Sequence, residues 1–149
     1  VITDINDYRL GLAKELGATK AINTSRNSIE EFYPQLNMTN GFDVGLEMSG
    51  NPDAFNSMLE HMYHGGKIAL LGLLPKSTSI NWDNIIFKGL KIKGIYGREM
   101  YETWYKMTQM LKSGLDISKV LTHRISVENF EEAFDIIESG DCGKVVLEW

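Results

Sequence analysis

Short apolar runs alternate with amphipathic stretches along most of the 149 residues, which is the pattern of repeated strand–helix units in a parallel sheet. The run Lys67-Ile-Ala-Leu-Leu-Gly-Leu-Leu74 reads as a strand buried on both faces, entered through a turn at Gly65-Gly66. Gly72 falls near its C-terminal end, where open parallel sheets place their ligand crevice. A glycine there lets a ligand approach the backbone closely. A plain core strand with a glycine at its exit satisfies the same letters.

Taken in order, Val1-Ile2-Thr3 reads as the tail of a strand ending at Asp4. A helix follows over about Asp7 to Leu16, capped by Asn6, with Tyr8, Leu12, Ala13 and Leu16 on its apolar face and Gly17 at its end. Lys20–Asn23 is a short strand. Ser28 with Glu31 is a capping-box pattern for a helix to Leu36, weakened by Pro34. Gly41–Ser49 reads as a strand, and Asn51-Pro52 starts a helix to about Tyr63 that Gly65 closes. Trp82–Lys88 holds one or two helical turns. Leu90–Tyr96 alternates apolar and charged residues, as an edge strand does. Glu99–Lys112 is a helix with Tyr101, Trp104, Tyr105, Thr108 and Leu111 on one side, ended by Gly114. The tail gives a strand at Leu121–Ile125, a helix at Val127–Glu138 with Phe130, Ala133, Phe134 and Ile137 in register, and a last strand at Lys144–Trp149. A boundary near Leu115–Ser118 divides residues 1–116 from residues 117–149.

Composition narrows the partners. Hydrophobic residues make up 43% and charged residues 23%, ordinary for a water-soluble globular chain. A net charge of −5 argues against nucleic acid as main partner. No apolar run is long enough to span a membrane. The single cysteine, Cys142, excludes an internal disulfide and suits a reducing compartment. The opening Val1-Ile2-Thr3-Asp4, without a methionine, reads as the middle of a fold, so a fragment is expected.

Candidate chemistry sits at strand ends. In dinucleotide-binding folds, an acid closing the second strand accepts hydrogen bonds from the adenosine ribose and repels a 2′-phosphate. Asp4 is placed for that role, or is a turn aspartate before a helix. Arg9, one turn on, lies near the adenosine or is a solvated surface arginine. Ser49-Gly50 lies where a cofactor would pass, or is simply a turn. Glu47 is within a strand, with a structural ion pair or a catalytic role open to it. His61, His64, His123 and Cys142 lack metal-ligand spacing. No G-x-G-x-x-G, nucleophile elbow or Walker loop occurs.

Several longer motifs are more specific. Asp43-Val-Gly-Leu-Glu-Met-Ser-Gly50, His64-Gly-Gly-Lys-Ile-Ala-Leu-Leu-Gly72 and Ile86-Phe-Lys-Gly-Leu-Lys-Ile-Lys-Gly-Ile-Tyr-Gly-Arg-Glu-Met100 resemble the medium-chain, zinc-dependent dehydrogenases. Within that family the Gly94–Met100 stretch resembles the members that oxidise threonine. Glu102-Thr-Trp-Tyr105, Thr122-His-Arg124, Ser139-Gly140 and Gly143-Lys144-Val145 fit the same pattern over essentially the whole chain.

The resemblance implies oxidation of L-threonine to 2-amino-3-oxobutanoate with reduction of NAD⁺, in a cytoplasmic homotetramer. It places Asp4 and Arg9 at the adenosine ribose. Leu71, Gly72 and Leu73 lie along the cofactor by their backbone, and Ile95 and Tyr96 near the nicotinamide carboxamide. The expected fold is a Rossmann-like, doubly wound parallel sheet lacking its first strand and glycine-rich turn, plus a C-terminal strand–helix–strand that returns to the catalytic domain. Without the first strand, an open lane is expected between the strand ending at Asp4 and that at Phe42–Met48. The family's zinc ligands lie upstream, so this chain alone is expected to be inactive. Two other readings compete: an S-adenosylmethionine-dependent methyltransferase module, and an oligomerisation module pairing through the edge strand Leu90–Tyr96.

Overall fold

The computed structural model describes residues 1–149. β1 (Ile2–Asp4), α1 (Asp7–Glu15) and β2 (Ala21–Asn23) form the first strand–helix–strand unit. β3 (Phe42–Glu47), α2 (Pro52–His61), β4 (Met62–Leu70), α3 (Trp82–Phe87) and β5 (Lys91–Gly94) follow. After α4 (Glu102–Lys112) come β6 (Leu121–Ser126), α5 (Phe130–Ser139) and β7 (Lys144–Glu148). Every strand pairing is parallel, in the orders β1-β2, β3-β4-β5 and β6-β7. β1 thus pairs with β2 alone, and β3 with β4 alone. The α/β, parallel-sheet class is the expected one.

The chain divides into two compact units, one of Val1–Ser28 with Trp104–Trp149 and one of Ile29–Thr103. The Leu115–Ser118 boundary read from the sequence falls inside the first of these.

In the first unit, Asn6 caps α1 by accepting from the Arg9 N–H at 3.1 Å, and Gly17 ends the helix with φ +96°. The buried face differs from the expected one. Leu10 and Ala13 are buried, whereas Tyr8 and Leu16 are exposed. The nine-residue helix packs on a two-stranded sheet, which covers only a narrow stripe. Gly143 sits against Leu12, and a Cβ there would lie 2.9 Å from its Cδ2. In α5 only Ala133 is buried, while Phe130, Phe134 and Ile137 remain exposed.

In the second unit the core is Phe55, Leu59, Met62 and Ile68, with Phe42, Met58, Leu70 and Ile85 packed around it. Burying each large side chain is worth about 1.5–3 kcal/mol. Gly45 lets α2 come close: a Cβ on it would lie 2.7 Å from the Met58 sulfur. Asn51 caps α2 by accepting from the Asp53 and Ala54 N–H groups, as its Asn-Pro start predicts. At the other end, Lys88 Nζ donates to the Leu59 and Glu60 carbonyls at 2.9 and 2.6 Å.

Three local expectations are corrected. Residues 28–36 form two 3-10 turns, Glu30–Phe32 and Pro34–Leu36, because Pro34 removes a backbone donor. Gly65 does not close α2. The helix passes directly into β4, and Gly65-Gly66 lie inside the strand, where pairing jumps from Phe42–Met62 to Val44–Lys67 and residues 63–66 bulge out. Gly72 lies two residues beyond β4, in the loop that follows it. β5 is an edge strand, as expected, but every residue of it is exposed, the apolar Ile92 included.

Candidate dinucleotide-binding site

In the first unit, Asp4 closes β1. Its Oδ1 accepts from the Ile5 and Asn6 N–H groups at 2.7 and 2.9 Å, which fixes the turn into α1. The Asp4 carbonyl accepts from the Thr24 N–H just after β2. These bonds hold one carboxylate oxygen, and none of them uses Oδ2. A ribose, whose vicinal hydroxyls are both donors, suits such a carboxylate. Arg9 turns its Nε to the Gly140 carbonyl at 3.2 Å, and Asn6 Nδ2 donates to the same oxygen at 3.3 Å. Gly140 ends α5 with φ +79°, so Arg9 places a cation at the negative end of that helix. Asp7 accepts from Asn23 Nδ2 at 2.7 Å and pairs with Arg26 at 2.7 Å. The Asn23 bond, then Arg26, holds its carboxyl below the usual carboxylate range.

In the second unit, the exits of β3 and β4 are locked together. Glu47, the last residue of β3, is 2% exposed. Its Oε1 accepts from the Ser49 N–H at 2.9 Å, the Ser49 hydroxyl at 2.6 Å and the Gly50 N–H at 3.0 Å. Its main-chain carbonyl accepts from the Leu71 and Gly72 N–H groups at 2.9 and 3.2 Å. The ion pair or catalytic role open to Glu47 from the sequence is replaced by these five bonds. Gly50 has φ +68°, and a Cβ on it would lie 2.8 Å from the Leu73 carbonyl oxygen. A Cβ on Gly72 would overlap Glu47 Oε2 and the Gly50 nitrogen. Bare backbone is therefore required at both turns.

Leu71, Gly72 and Leu73 follow β4, and Ile95 and Tyr96 follow β5, with the Ile95 N–H donating to the Leu70 carbonyl at 2.9 Å. All five share the C-terminal edge of one sheet. Leu73 is 93% exposed and Tyr96 fully so, leaving their faces to a ligand. The edge offers a ligand close main-chain approach at the glycine turns and apolar contact at Leu71, Leu73 and Ile95. The buried Glu47 was visible in the sequence, but its partners were not. The clue is a carboxylate two residues before Ser-Gly at a strand-to-helix turn.

The histidines and the cysteine do not assemble a metal site. His61 Nδ1 lies 3.0 Å from the Tyr33 hydroxyl and 3.5 Å from Glu30 Oε1. Burial, and then the Glu30 carboxylate, pushes the Tyr33 phenol up. His123 meets Thr122, and Cys142 is buried. No three His, Cys, Asp or Glu side chains converge as a catalytic zinc requires, so the residues present do not fit that ion. No helix is long and apolar enough to cross a membrane.

Known proteins bear on this geometry. The L-threonine 3-dehydrogenase of Paraburkholderia phymatum is 63% identical over all 149 residues, which cover 44% of that protein. That of Burkholderia thailandensis is 62% identical, with 43% of it covered. The chain thus spans less than half the length of the curated relatives it matches. Among solved structures, 2R,3R-butanediol dehydrogenase from Bacillus subtilis aligns with 99% of the chain at TM-score 0.84 and 22% identity, over 42% of its own length. A short chain alcohol dehydrogenase of Escherichia coli CFT073, complexed with NADH, aligns with 99% of the chain at TM-score 0.83 and 23% identity, over 43% of its own length. These two show the fold. Residues 1–113 match the family described as zinc-binding dehydrogenase, and with the parallel strand ends already described, the chain belongs to that family.

Proposed function

We propose that this chain is the NAD-binding portion of an L-threonine 3-dehydrogenase, which converts L-threonine and NAD⁺ to 2-amino-3-oxobutanoate, NADH and a proton. The observation that carries it is the forced glycine contact between the exits of β3 and β4, in a sequence 63% identical to a protein of that name. Asp4 binds the adenosine ribose and disfavours a 2′-phosphate, with Arg9 beside it. Leu71, Gly72 and Leu73 support the cofactor through their backbone. Ile95 and Tyr96 meet the nicotinamide carboxamide. When bound, NAD supplies the hydride acceptor, and these residues bind and orient it. Residues 1–116 belong to the nucleotide-binding domain, and residues 117–149 to a segment that returns to the catalytic domain. The parent enzyme is a cytoplasmic homotetramer whose zinc ligands lie outside these residues.

Lacking a metal site of its own, this chain alone oxidises no threonine. The decisive experiment is thermal unfolding with NAD⁺ or S-adenosylmethionine, beside a turnover assay with threonine. A rise in midpoint with NAD⁺ only, and no product, is expected. A rise with S-adenosylmethionine only would move the assignment to a methyltransferase, and zinc-dependent product would overturn the inactivity.

A further inference from the structure

A carboxyl group that is 2% exposed is costly to bury unless it is well hydrogen-bonded. Glu47 is paired unevenly. Oε1 takes three donors from Ser49 and Gly50, while Oε2 is buried with no hydrogen-bond partner. A turn that needed only to be closed could use a serine or asparagine at its own start, as Asn51 does for α2. Glu47 instead reaches forward from the strand. Its side chain draws the N–H groups of the β3 exit inward, and its carbonyl holds those of the β4 exit. The β5 exit joins through the Leu70–Ile95 bond. Thus one residue sets the spacing between the Ser49-Gly50 turn and the Leu71–Leu73 backbone.

We infer that Glu47 is a positioning residue for the nicotinamide half of the dinucleotide. It acts by holding the Gly50–Leu73 and Gly72–Gly50 contacts in place, so that Leu71–Leu73 and Ile95 present their backbone at a fixed height. This rests on the assignment of these strand ends to NAD in the proposed function. The role is indirect, exerted through the Ser49-Gly50 and Leu71-Gly72 main chain. Glu47 Oε1 gathers three converging donors, against the two that Asn51 Oδ1 takes at the start of α2. Ser49 is its main partner, through both main chain and hydroxyl.

The test is calorimetric titration of the whole chain with NADH and, separately, with ADP-ribose, which lacks the nicotinamide. Wild type, Glu47→Gln, Glu47→Ala and Ser49→Ala are compared at a temperature where each is folded. Glu47→Ala is expected to weaken NADH about tenfold or more while moving ADP-ribose less than about threefold, since small misplacement of a binding edge is costly. Glu47→Gln, which keeps one acceptor, is expected to recover most of the NADH affinity, with Ser49→Ala between the two. If Glu47→Ala does not fold, the Glu47→Gln and Ser49→Ala ordering for NADH against ADP-ribose still decides. Hydrogen exchange adds a second readout: Glu47→Ala should speed exchange at Leu71 and Gly72 as well as at Ser49 and Gly50. Wild type that binds NADH, with variants that weaken both ligands equally or neither, overturns the positioning role alone. Wild type that binds neither ligand overturns the dinucleotide reading and the positioning role with it.

Discussion

At the scale of single residues, the site is set by where side chains are absent. Gly72→Ala should cost about 1–3 kcal/mol in stability and abolish NADH binding, because its Cβ overlaps Glu47 Oε2 and the Gly50 nitrogen. Gly11 is the contrast. It lies within α1 with nothing near its missing Cβ, so Gly11→Ala should stabilise the chain by about 0.5–1 kcal/mol in urea unfolding. Two glycines thus give opposite signs in one assay. Asp4→Ser should weaken NAD⁺ by about tenfold or more and narrow its advantage over NADP⁺, since it removes both a charged acceptor and a repulsive charge. Direct titration of both cofactors reads this. The strand end at Asp4 was legible in the letters, whereas Gly72 falls two residues past the end of β4. Glu47 was not legible, because its partners depend on a turn geometry that no periodicity encodes.

At the scale of elements, caps and breakers were read better than faces. Asn6 and Asn51 cap their helices as their positions predict. The faces of α1 and α5 are buried only in part, at Ala13 and Ala133 among the expected residues, because helical periodicity says which residues align, whereas burial depends on how much sheet lies opposite. The Gly65-Gly66 bulge looks like a turn in sequence because both features use glycine. Two predictions belong here. Lys88 closes the C-terminus of α2 through two carbonyls, so Lys88→Met should lower stability by about 1 kcal/mol, measured by denaturant midpoint. Asp7 ties α1 to Asn23, the last residue of β2, and to Arg26, with its folded pKa below the ordinary 3.8. The stability this lends is fully present above about pH 4 and is lost as pH falls through the folded value. Asp7→Asn should therefore flatten the acid limb of the unfolding midpoint below about pH 4 and leave its shape at neutral pH unchanged.

At the scale of the whole chain, the fold class was legible because strand–helix alternation with short connections leaves few topologies. The two-unit division was not, since residues 104–149 rejoin the first 28 through contacts far apart in sequence, such as Arg9 with Gly140. The family was legible from long motifs, and its match over residues 1–113 agrees with a sheet whose strand ends carry the glycine turns. In the proposed function the Leu71–Leu73 and Ile95–Tyr96 strand ends, within the second unit, bind a dinucleotide. The most direct measurement is a titration of the isotopically labelled chain with NADH, followed by backbone amide NMR shifts. Expected are saturable shifts at Gly50, Leu71–Leu73, Ile95 and Tyr96. Shifts absent throughout, or confined to β6, α5 and β7, would contradict it.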